Sequence, residues 1–304
     1  MQSQTPPILE TVQENREARR RRLAKIITEC VAGLPGNTSQ LDALLSTPPV
    51  DLTRVTRIIN GDSEFSGLLL SLASTELFNV RSCGVTLPQA VVLFGSDRLR
   101  TLSLACAFFK YASPGLSSTD RQQLWQHSFL SAALSERTAR QVGYPESGQA
   151  YLAGLVHDIG RLPLLEAARL EKSASRPLPA DWADSPSAER DCFGVDHCEI
   201  GKSIAAAWRL APSFLDAVAY HHSPDRAKHD PDLAEIVAAG DHYANLLSPF
   251  AREDFAFGSS QNAGAIDALL QMCVPNLGEQ GAADMLDSPQ DEEFDEDLMA
   301  QLLN

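Results

Sequence analysis

The 304-residue sequence predicts an all-α fold, in which an N-terminal helical bundle is followed by a second helical subdomain. Apolar residues recur at helical spacing along most of the chain, often directly after a polar capping residue. Alternating Val, Ile and Thr runs between hairpin turns are absent, which argues against a sheet. The segment SPGLSSTD at 113–120 interrupts the helical pattern and marks a joint between the two subdomains.

The composition is that of a soluble globular protein, with 44% hydrophobic and 21% charged residues. No apolar stretch approaches the length of a membrane span, and the N-terminus lacks the architecture of a secretory signal. A cytoplasmic protein that does not bind membranes is therefore expected. The six cysteines include no CxxC pair, so reduced thiols are expected instead of a disulfide framework or a zinc ribbon.

The first part of the chain is predicted to contain a mobile segment over residues 1–18 and a helical bundle over residues 19–118. Polar residues before the apolar runs supply the expected helix starts, because their side chains can accept hydrogen bonds from free amides of the first turn. The predicted helices are Arg19–Val31, one capped by Ser39, Leu52–Asn60 capped by Asp51, one opened by Asp62 or Ser63, Leu87–Phe94 and Ser96–Tyr111.

The second subdomain is predicted over residues 119–275, and an acidic tail over residues 276–304 is expected to be disordered. The Pro- and Ser-rich stretch 173–186 is expected to form a loop. The predicted helices of this part are Arg121–Gln141, Ser147–Val156, His197–Trp208, Ser213–His221, Asp232–Leu247 and Ala263–Cys273.

The net charge of −15 is unevenly distributed, since residues 279–304 carry nine acidic residues and no basic one. So acidic a chain is a poor nucleic-acid binder, because the phosphate backbone would be repelled. The tail and the basic run Arg19–Arg22 are two candidate docking elements for signalling proteins. The alternatives are a solubilising disordered tail and a solvated helix face.

All seven histidines lie between positions 127 and 242, and two candidate ligand pairs are adjacent, His157-Asp158 and His221-His222. Neighbouring side chains on a straight helix point about 100° apart, so such a pair converges on one site only where its helix ends. Gly160 and Pro163 follow the first pair and Ser223-Pro224 the second, which predicts helix ends at both. The candidate metal ligands are His127, His157, Asp158, His197, His221, His222 and Asp241.

Imidazoles and carboxylates without thiolates suit divalent iron, manganese, nickel or zinc. Asp158 could bridge two such ions, an arrangement that lowers the pKa of bound water and clamps phosphoryl oxygens during hydrolysis of a phosphate ester. His229 and His242 are assigned as bystanders. Cys198 is assigned as a buried small apolar residue.

Several segments carry a family resemblance. LWQHS at 124–128, AGLVHDIGRL at 153–162 and GVDHCEIGKSIAAAW at 194–208 resemble the HD phosphohydrolase superfamily. Upstream, DLTRVTRIINGDSEFSGLLLSLASTELFNVRS and VTLPQAVVLFGSDRLRTLSLACAFF are similar to the HDOD family, the HD-related output domains of bacterial signalling proteins. The resemblance covers roughly residues 25–250. It implies two packed helical lobes, the second of them HD-like.

By analogy with dinuclear HD enzymes, the resemblance implies two metal ions bridged by Asp158. The first would be held with His127, His157 and Asp241, and the second with His197, His221 and His222. Arg161, in HDIGR, and Lys202 would contact the phosphate of a nucleotide or phosphate ester. The segment HHSPDRAKHDPDL lacks the GYP signature of the related cyclic-di-GMP phosphodiesterases, so hydrolysis of that dinucleotide is disfavoured.

Two functions stay open at this point. Many HDOD proteins are regarded as non-catalytic regulatory or scaffold modules, which would make this chain a signal-transduction output protein that retains a metal site. The alternative is a metal-dependent phosphohydrolase, with Asp158 and Arg161 in the catalytic centre and attack by a metal-bound hydroxide. The fold alone does not decide between them, because function depends on the site.

Overall fold

The computed structural model describes residues 7–32, 36–73, 85–112, 115–173, 178 and 185–247. These residues form α-helices and a 3₁₀ turn at Pro224–Arg226, and they contain no β-strand, which confirms the all-α prediction. The helix predicted at Ala263–Cys273 and the acidic tail lie outside the described residues. The helices are α1 (Pro7–Ala32), α2 (Gly36–Leu45), α3 (Leu52–Asn60), α4 (Ser63–Ala73), α5 (Leu87–Tyr111), α6 (Ser118–Gln141), α7 (Ser147–Val156), α8 (Arg161–Ser173), α9 (Pro186–Phe193), α10 (His197–Ala207), α11 (Pro212–Tyr220) and α12 (Pro231–Leu247).

The helix starts of the N-terminal lobe follow from two aspartate caps. The Asp51 carboxylate accepts a hydrogen bond from the Arg54 amide at 3.0 Å at the start of α3. The Asp62 carboxylate accepts from the amide of Phe65 at 3.0 Å at the start of α4. Both carboxylates satisfy amides that the first helical turn leaves free. Helices α2, α3 and α4 then pack against α5, as predicted for a bundle.

The first two helices begin earlier than predicted. Helix α1 starts at Pro7 instead of Arg19, so residues 7–18, predicted to be mobile, are helical. Proline is well suited to a first helical position, and the Glu- and Arg-rich sequence that follows has high helix propensity without an apolar pattern. Helix α2 starts at Gly36, which places Ser39 inside the helix and corrects its prediction as a cap.

Among the remaining helices, α5 agrees with the prediction, whereas α8 and α9 differ from it. Helix α5 is broken at Gly95, whose non-helical φ of 71° is accessible to glycine without strain, so it consists of the two segments predicted at Leu87–Phe94 and Ser96–Tyr111. Helix α8 lies where the sequence predicts no helix, because Pro163 indicates a helix end. Proline in the first turn of a helix is tolerated, since its nitrogen needs no hydrogen-bond partner there. Helix α9 also begins at a proline, Pro186.

Helices α7 and α12 both pack closely against α6. A Cβ atom added to Gly154 of α7 would lie 2.7 Å from the Ser135 hydroxyl oxygen, and one added to Gly240 of α12 would lie 2.9 Å from the Ser131 carbonyl oxygen. These two glycines therefore allow the three backbones to approach each other. The close packing brings His127, on α6, next to His157, directly after α7, and next to Asp241, within α12.

Helix α1 packs against α8, α9 and α10 of the second lobe. The buried carboxylate of Glu171, on α8, forms ion pairs with Arg19, at 3.3 Å, and with Arg22. Arg21 instead pairs with Glu17 on the exposed face of α1. Two arginines of the basic run, Arg19 and Arg22, are therefore held by ion pairs within the protein. None of the described helices is both long and apolar enough to span a bilayer.

Candidate metal centre

The structure brings all seven predicted ligands together, in two groups. The ligand atoms of each group lie within 4.8 Å of one another. The His127 group consists of His127, His157, Asp158 and Asp241. The His197 group consists of His197, Cys198, His221 and His222.

Helix ends position most of the ligands. Helix α7 ends at Val156, directly before His157 and Asp158, and α11 ends at Tyr220, directly before His221 and His222. Both adjacent pairs therefore lie where a helix stops, as predicted. His197 is the first residue of α10, whose amides are capped by Asp196. The remaining two ligands, His127 and Asp241, project from within α6 and α12.

The Asp158 carboxylate faces both groups. Its Oδ2 atom lies 3.5 Å from Nε2 of His127 and 3.7 Å from Nε2 of His157. Its Oδ1 atom lies 3.3 Å from Nε2 of His197 and 3.7 Å from Nε2 of His221. One buried carboxylate thus offers a different oxygen to each group.

Hydrogen bonds at Nδ1 set the orientation of three imidazoles. The Nδ1 atom of His157 is 2.7 Å from the Gly154 carbonyl oxygen, and that of His221 is 3.0 Å from the Val218 carbonyl oxygen. Because a carbonyl only accepts, each Nδ1 carries the proton, and in the neutral ring Nε2 carries the lone pair. His197 is oriented in the same way by a carboxylate. All three rings thus present a metal-binding nitrogen to the centre.

The Nε2 atoms of the His197 group lie close enough together to bind one cation. His197 Nε2 is 3.2 Å from Nε2 of His221 and 3.2 Å from Nε2 of His222. Two lone pairs at this distance repel each other unless a proton or a cation lies between them. In addition, the buried Asp158 Oδ1 atom accepts no hydrogen bond within the described residues. The residues therefore fit a divalent metal, which would bind the lone pairs and this carboxylate oxygen.

The protonation states of His221 and Asp158 also suit metal binding, whereas Asp158 and Asp241 outweigh burial and raise the pKa of His157, whose ring would lose its proton when an ion binds. Burial, assisted by the neighbouring imidazoles of His157 and His222, lowers the pKa of His221 well below its usual value. Burial alone would raise the pKa of Asp158, but the charges of Arg161 and His157 outweigh burial and lower it. Neutral imidazole and ionised carboxylate are the forms in which these side chains bind metals.

The two predicted phosphate contacts differ in position. The Arg161 side chain is 32% exposed, and its Nε atom lies 2.9 Å from Asp158 Oδ2, so the guanidinium extends from the surface to the centre. Lys202 is exposed on α10, where its ammonium lies 5.3 Å from the centre of the Tyr220 ring. Within the described part of the chain, Lys202 does not contact the ligands.

Sequence reasoning missed three residues at the centre. Cys198 Sγ lies 3.4 Å from His197 Nε2, although the predicted ligand set contains no thiolate. The Glu189 carboxylate orients His197, but it lies on α9, which was not predicted. Asn245 donates a hydrogen bond to Asp241 Oδ1 at 3.0 Å, and its spacing of four residues on a helix was the signal available.

The two bystander histidines lie outside both groups. His229 Nδ1 is 3.0 Å from the carboxylate of Asp216, and the His242 ring packs edge-on against Tyr243.

Several known proteins are similar to this chain in sequence or in fold. An uncharacterized protein of Treponema pallidum (strain Nichols) is 24% identical over 226 residues, which is 71% of this chain but only 42% of that protein. An HDOD domain protein of unknown function from Geobacter sulfurreducens has 23% identity and a TM-score of 0.52, covering 93% of both chains. A candidate metal-dependent phosphohydrolase from Shewanella amazonensis SB2B has 15% identity and a TM-score of 0.56, covering 94% of this chain and 99% of its own.

The HDOD domain matches residues 31–224, a range that includes every residue of the His127 and His197 groups except Asp241. Asp241, on α12, lies beyond the matched range. The match covers more than half of the sequence, and the all-helical fold agrees with it. The chain therefore belongs to the HDOD family.

Proposed function

We propose that the centre binds two divalent metal ions and that the chain is a phosphohydrolase acting on a nucleotide or another phosphate ester. The observation that carries this proposal is the position of Asp158, whose two oxygens face two separate ligand groups. Zinc, iron, manganese and nickel all accept imidazole and carboxylate ligands. When bound, such a pair of ions lowers the pKa of water and stabilises the charge on phosphoryl oxygens.

Seven residues of the chain would hold the two ions. His127, His157 and Asp241 would hold one ion and His197, His221 and His222 the other, with Asp158 between them. The hydrogen bonds at Nδ1 keep the rings in place before the substrate arrives, which reduces the reorganisation needed during the reaction.

Arg161 is the residue best placed to bind the substrate. Its guanidinium is partly exposed beside Asp158, and a planar fork of donors matches two phosphoryl oxygens. Lys202 could extend this contact toward a distal phosphate, since its long side chain is exposed on the same lobe as His197. Arg161 and Lys202 would then form a basic surface on an otherwise acidic protein.

The test is a metal analysis combined with a hydrolysis assay. The protein is purified without chelator, its iron, manganese, nickel and zinc are quantified, and hydrolysis of a phosphodiester and of several nucleotides is measured. We expect close to two ions per chain and turnover that is lost in Asp158→Ala. The matched control is His242→Ala, which removes an exposed imidazole outside the centre. A protein without metal after reconstitution, or turnover that persists in Asp158→Ala, would contradict the proposal.

Arg161 can be tested separately from the metal. We expect Arg161→Ala to raise KM by roughly tenfold or more while the metal content stays near that of the parent protein, because the charge-assisted hydrogen bonds from the guanidinium to the phosphate are lost. Arg161→Lys should restore part of the affinity, since a point charge replaces the fork. Equal KM values in all three proteins would exclude Arg161 from substrate binding.

A second candidate function is signal output without catalysis, and one structural observation favours it. Helix α1 contacts α9 and α10, which carry Glu189 and His197, so the occupancy of the centre could change the packing of α1. Signalling proteins would then dock on the exposed arginines of this helix or on the acidic tail, and the chain would act in the cytoplasm. Metal binding without turnover, together with metal-dependent hydrogen exchange in α1, would support this function. Identical exchange with and without metal would exclude it.

A further inference from the structure

Cys198 lies inside the centre, where neither the expected ligand set nor the proposed hydrolysis uses it. Its side chain is buried, and it directly follows His197 at the start of α10. The Sγ atom lies 3.4 Å from Nε2 of His197 and 4.0 Å from Nε2 of His221. The thiol thus faces the same point as the imidazoles of the His197 group.

The separations of these atoms suit ligands of a single metal ion. With bonds of about 2.0–2.1 Å to nitrogen and about 2.3 Å to sulfur, ligand atoms at the tetrahedral angle lie about 3.3–3.6 Å apart. The two Nε2–Nε2 distances from His197 are both 3.2 Å, and its distance to Sγ is 3.4 Å. The distance from Sγ to Nε2 of His221, 4.0 Å, is slightly longer. Because Asp158 Oδ1 also lies 3.3 Å from Nε2 of His197, Cys198 would be a fifth protein ligand of this ion.

We propose that Cys198 is a ligand of the metal ion in the His197 group, as a thiolate. This inference rests on the proposed metal centre and adds to it a difference between the two positions. The His197 group would supply three imidazoles and one sulfur, whereas the His127 group supplies imidazoles and carboxylates only. Binding of the ion would release the thiol proton to solvent.

The difference has a consequence for metal selectivity. Thiolate ligands favour zinc and other thiophilic ions, whereas carboxylates are also good ligands of manganese and iron. The His197 group should therefore select zinc, and the His127 group should accept manganese or iron. The centre would then hold two unlike ions instead of an identical pair.

A different role for Cys198 predicts a different result. In the absence of metal, the thiol can donate a weak hydrogen bond to the lone pair of His197 Nε2, and 3.4 Å suits such a contact. In that role the sulfur would stay protonated and would not contact the ion. The two roles are distinguished by whether a metal–sulfur bond exists in the loaded protein.

The experiment uses the full chain loaded with Co²⁺ and, separately, with Zn²⁺. Charge transfer from a thiolate to Co²⁺ gives a near-ultraviolet absorption band, and zinc X-ray absorption detects a sulfur neighbour at about 2.3 Å. We expect both signals in the parent protein and in Cys106→Ala, which removes a buried thiol of α5 that belongs to neither ligand group. Both should be absent in Cys198→Ala and in Cys198→Ser, which nearly preserves the size of the side chain. Circular dichroism verifies that each variant is folded.

Chelator competition supplies a second readout. We expect Cys198→Ala to lower the affinity for Zn²⁺ at least tenfold and to leave the affinity for Mn²⁺ within twofold, because manganese would bind at the His127 group. Two bound Co²⁺ ions without the thiolate band, or a band that persists in Cys198→Ala, would overturn the inference and leave the proposed metal centre intact. Absence of bound Co²⁺ from every protein would overturn both.

Discussion

The Glu189 carboxylate accepts two hydrogen bonds from His197, one from its backbone amide at 2.8 Å and one from Nδ1 at 2.7 Å. Both bonds reach the same oxygen, Oε2, and both residues are almost fully buried. A carboxylate behind a metal-binding histidine fixes the ring orientation and makes its other nitrogen more basic. Glu189 therefore supports the centre from helix α9 without being a ligand.

Replacing Glu189 should weaken metal binding without removing a ligand. We expect Glu189→Ala to lower the affinity for Zn²⁺ roughly 10–100-fold, the range found for such supporting residues. Chelator competition measures this affinity, and Glu199→Ala, at an exposed position of α10, is the matched control. Equal affinities for the two variants would show that the imidazole of His197 does not need the carboxylate.

Gly160 should tolerate no side chain, because the backbone of α10 touches it. An added Cβ atom would overlap the carbonyl oxygen of His197 and lie 2.7 Å from the Gly201 nitrogen. We expect Gly160→Ala to lower the free energy of unfolding by about 1–3 kcal/mol through overpacking, and to weaken metal binding by displacing His197. Urea unfolding and chelator competition measure the two effects.

The control for Gly160 is Gly67→Ala, in α4. Among the described residues, no atom outside the adjacent backbone of α4 lies within 4 Å of the Cβ position there, so the change should stabilise the protein by about 0.5–1 kcal/mol through helix propensity. A Gly160→Ala protein as stable as the parent would contradict the close approach of the two backbones.

The position of the two adjacent pairs at helix ends could be predicted from the sequence, because adjacency is a local property. His157-Asp158 and His221-His222 each precede helix-breaking residues, and the structure ends a helix directly before each pair. The cap at Asp51 was equally local, since it depends on residues three positions apart.

The supporting residues could not be predicted, because their roles depend on tertiary contacts. Glu189 reaches His197 only through the packing of α9, and this helix lies after a Pro- and Ser-rich stretch. Pro163 was interpreted as a terminator, although a proline fits the first turn of α8. Cys198 is buried, as predicted, and the ligand role proposed for it rests on its distances to two imidazoles, which the sequence does not show.

The basic run on α1 should stabilise the fold through two of its members. Arg19 and Arg22 pair with the buried carboxylate of Glu171, whereas Arg21 pairs with Glu17 at the surface. Removing both arginines takes two cations away from a buried carboxylate, so we expect Arg19→Ala/Arg22→Ala to lose roughly 2–4 kcal/mol. Arg21→Ala should lose less than about 1 kcal/mol, as is usual for exposed pairs. Similar urea midpoints for the two proteins would exclude the Glu171 contact as an anchor of α1.

Asp216 should give the stability a pH dependence that a single substitution removes. Its Oδ2 atom accepts hydrogen bonds from the backbone amides of Lys228 and His229, both at 2.6 Å. Burial would raise the pKa of this carboxyl, but the hydrogen bonds outweigh burial and lower the pKa. The ionised form therefore binds more strongly in the folded state, and its stabilisation is present above the unfolded pKa of about 3.9.

We expect Asp216→Asn to lose about 1.5–3 kcal/mol at pH 7, the contribution of hydrogen bonds to a charged acceptor. As the pH falls below about 4 and through the lowered pKa of the folded state, the parent protein loses the same stabilisation, and the difference between the two proteins shrinks. Urea unfolding between pH 7 and pH 3 measures this difference, with Asp225→Asn, at an exposed carboxylate of the 3₁₀ turn, as the control. A difference that stays constant over this range would mean that the charge of Asp216 contributes nothing and that only the shape of the side chain matters.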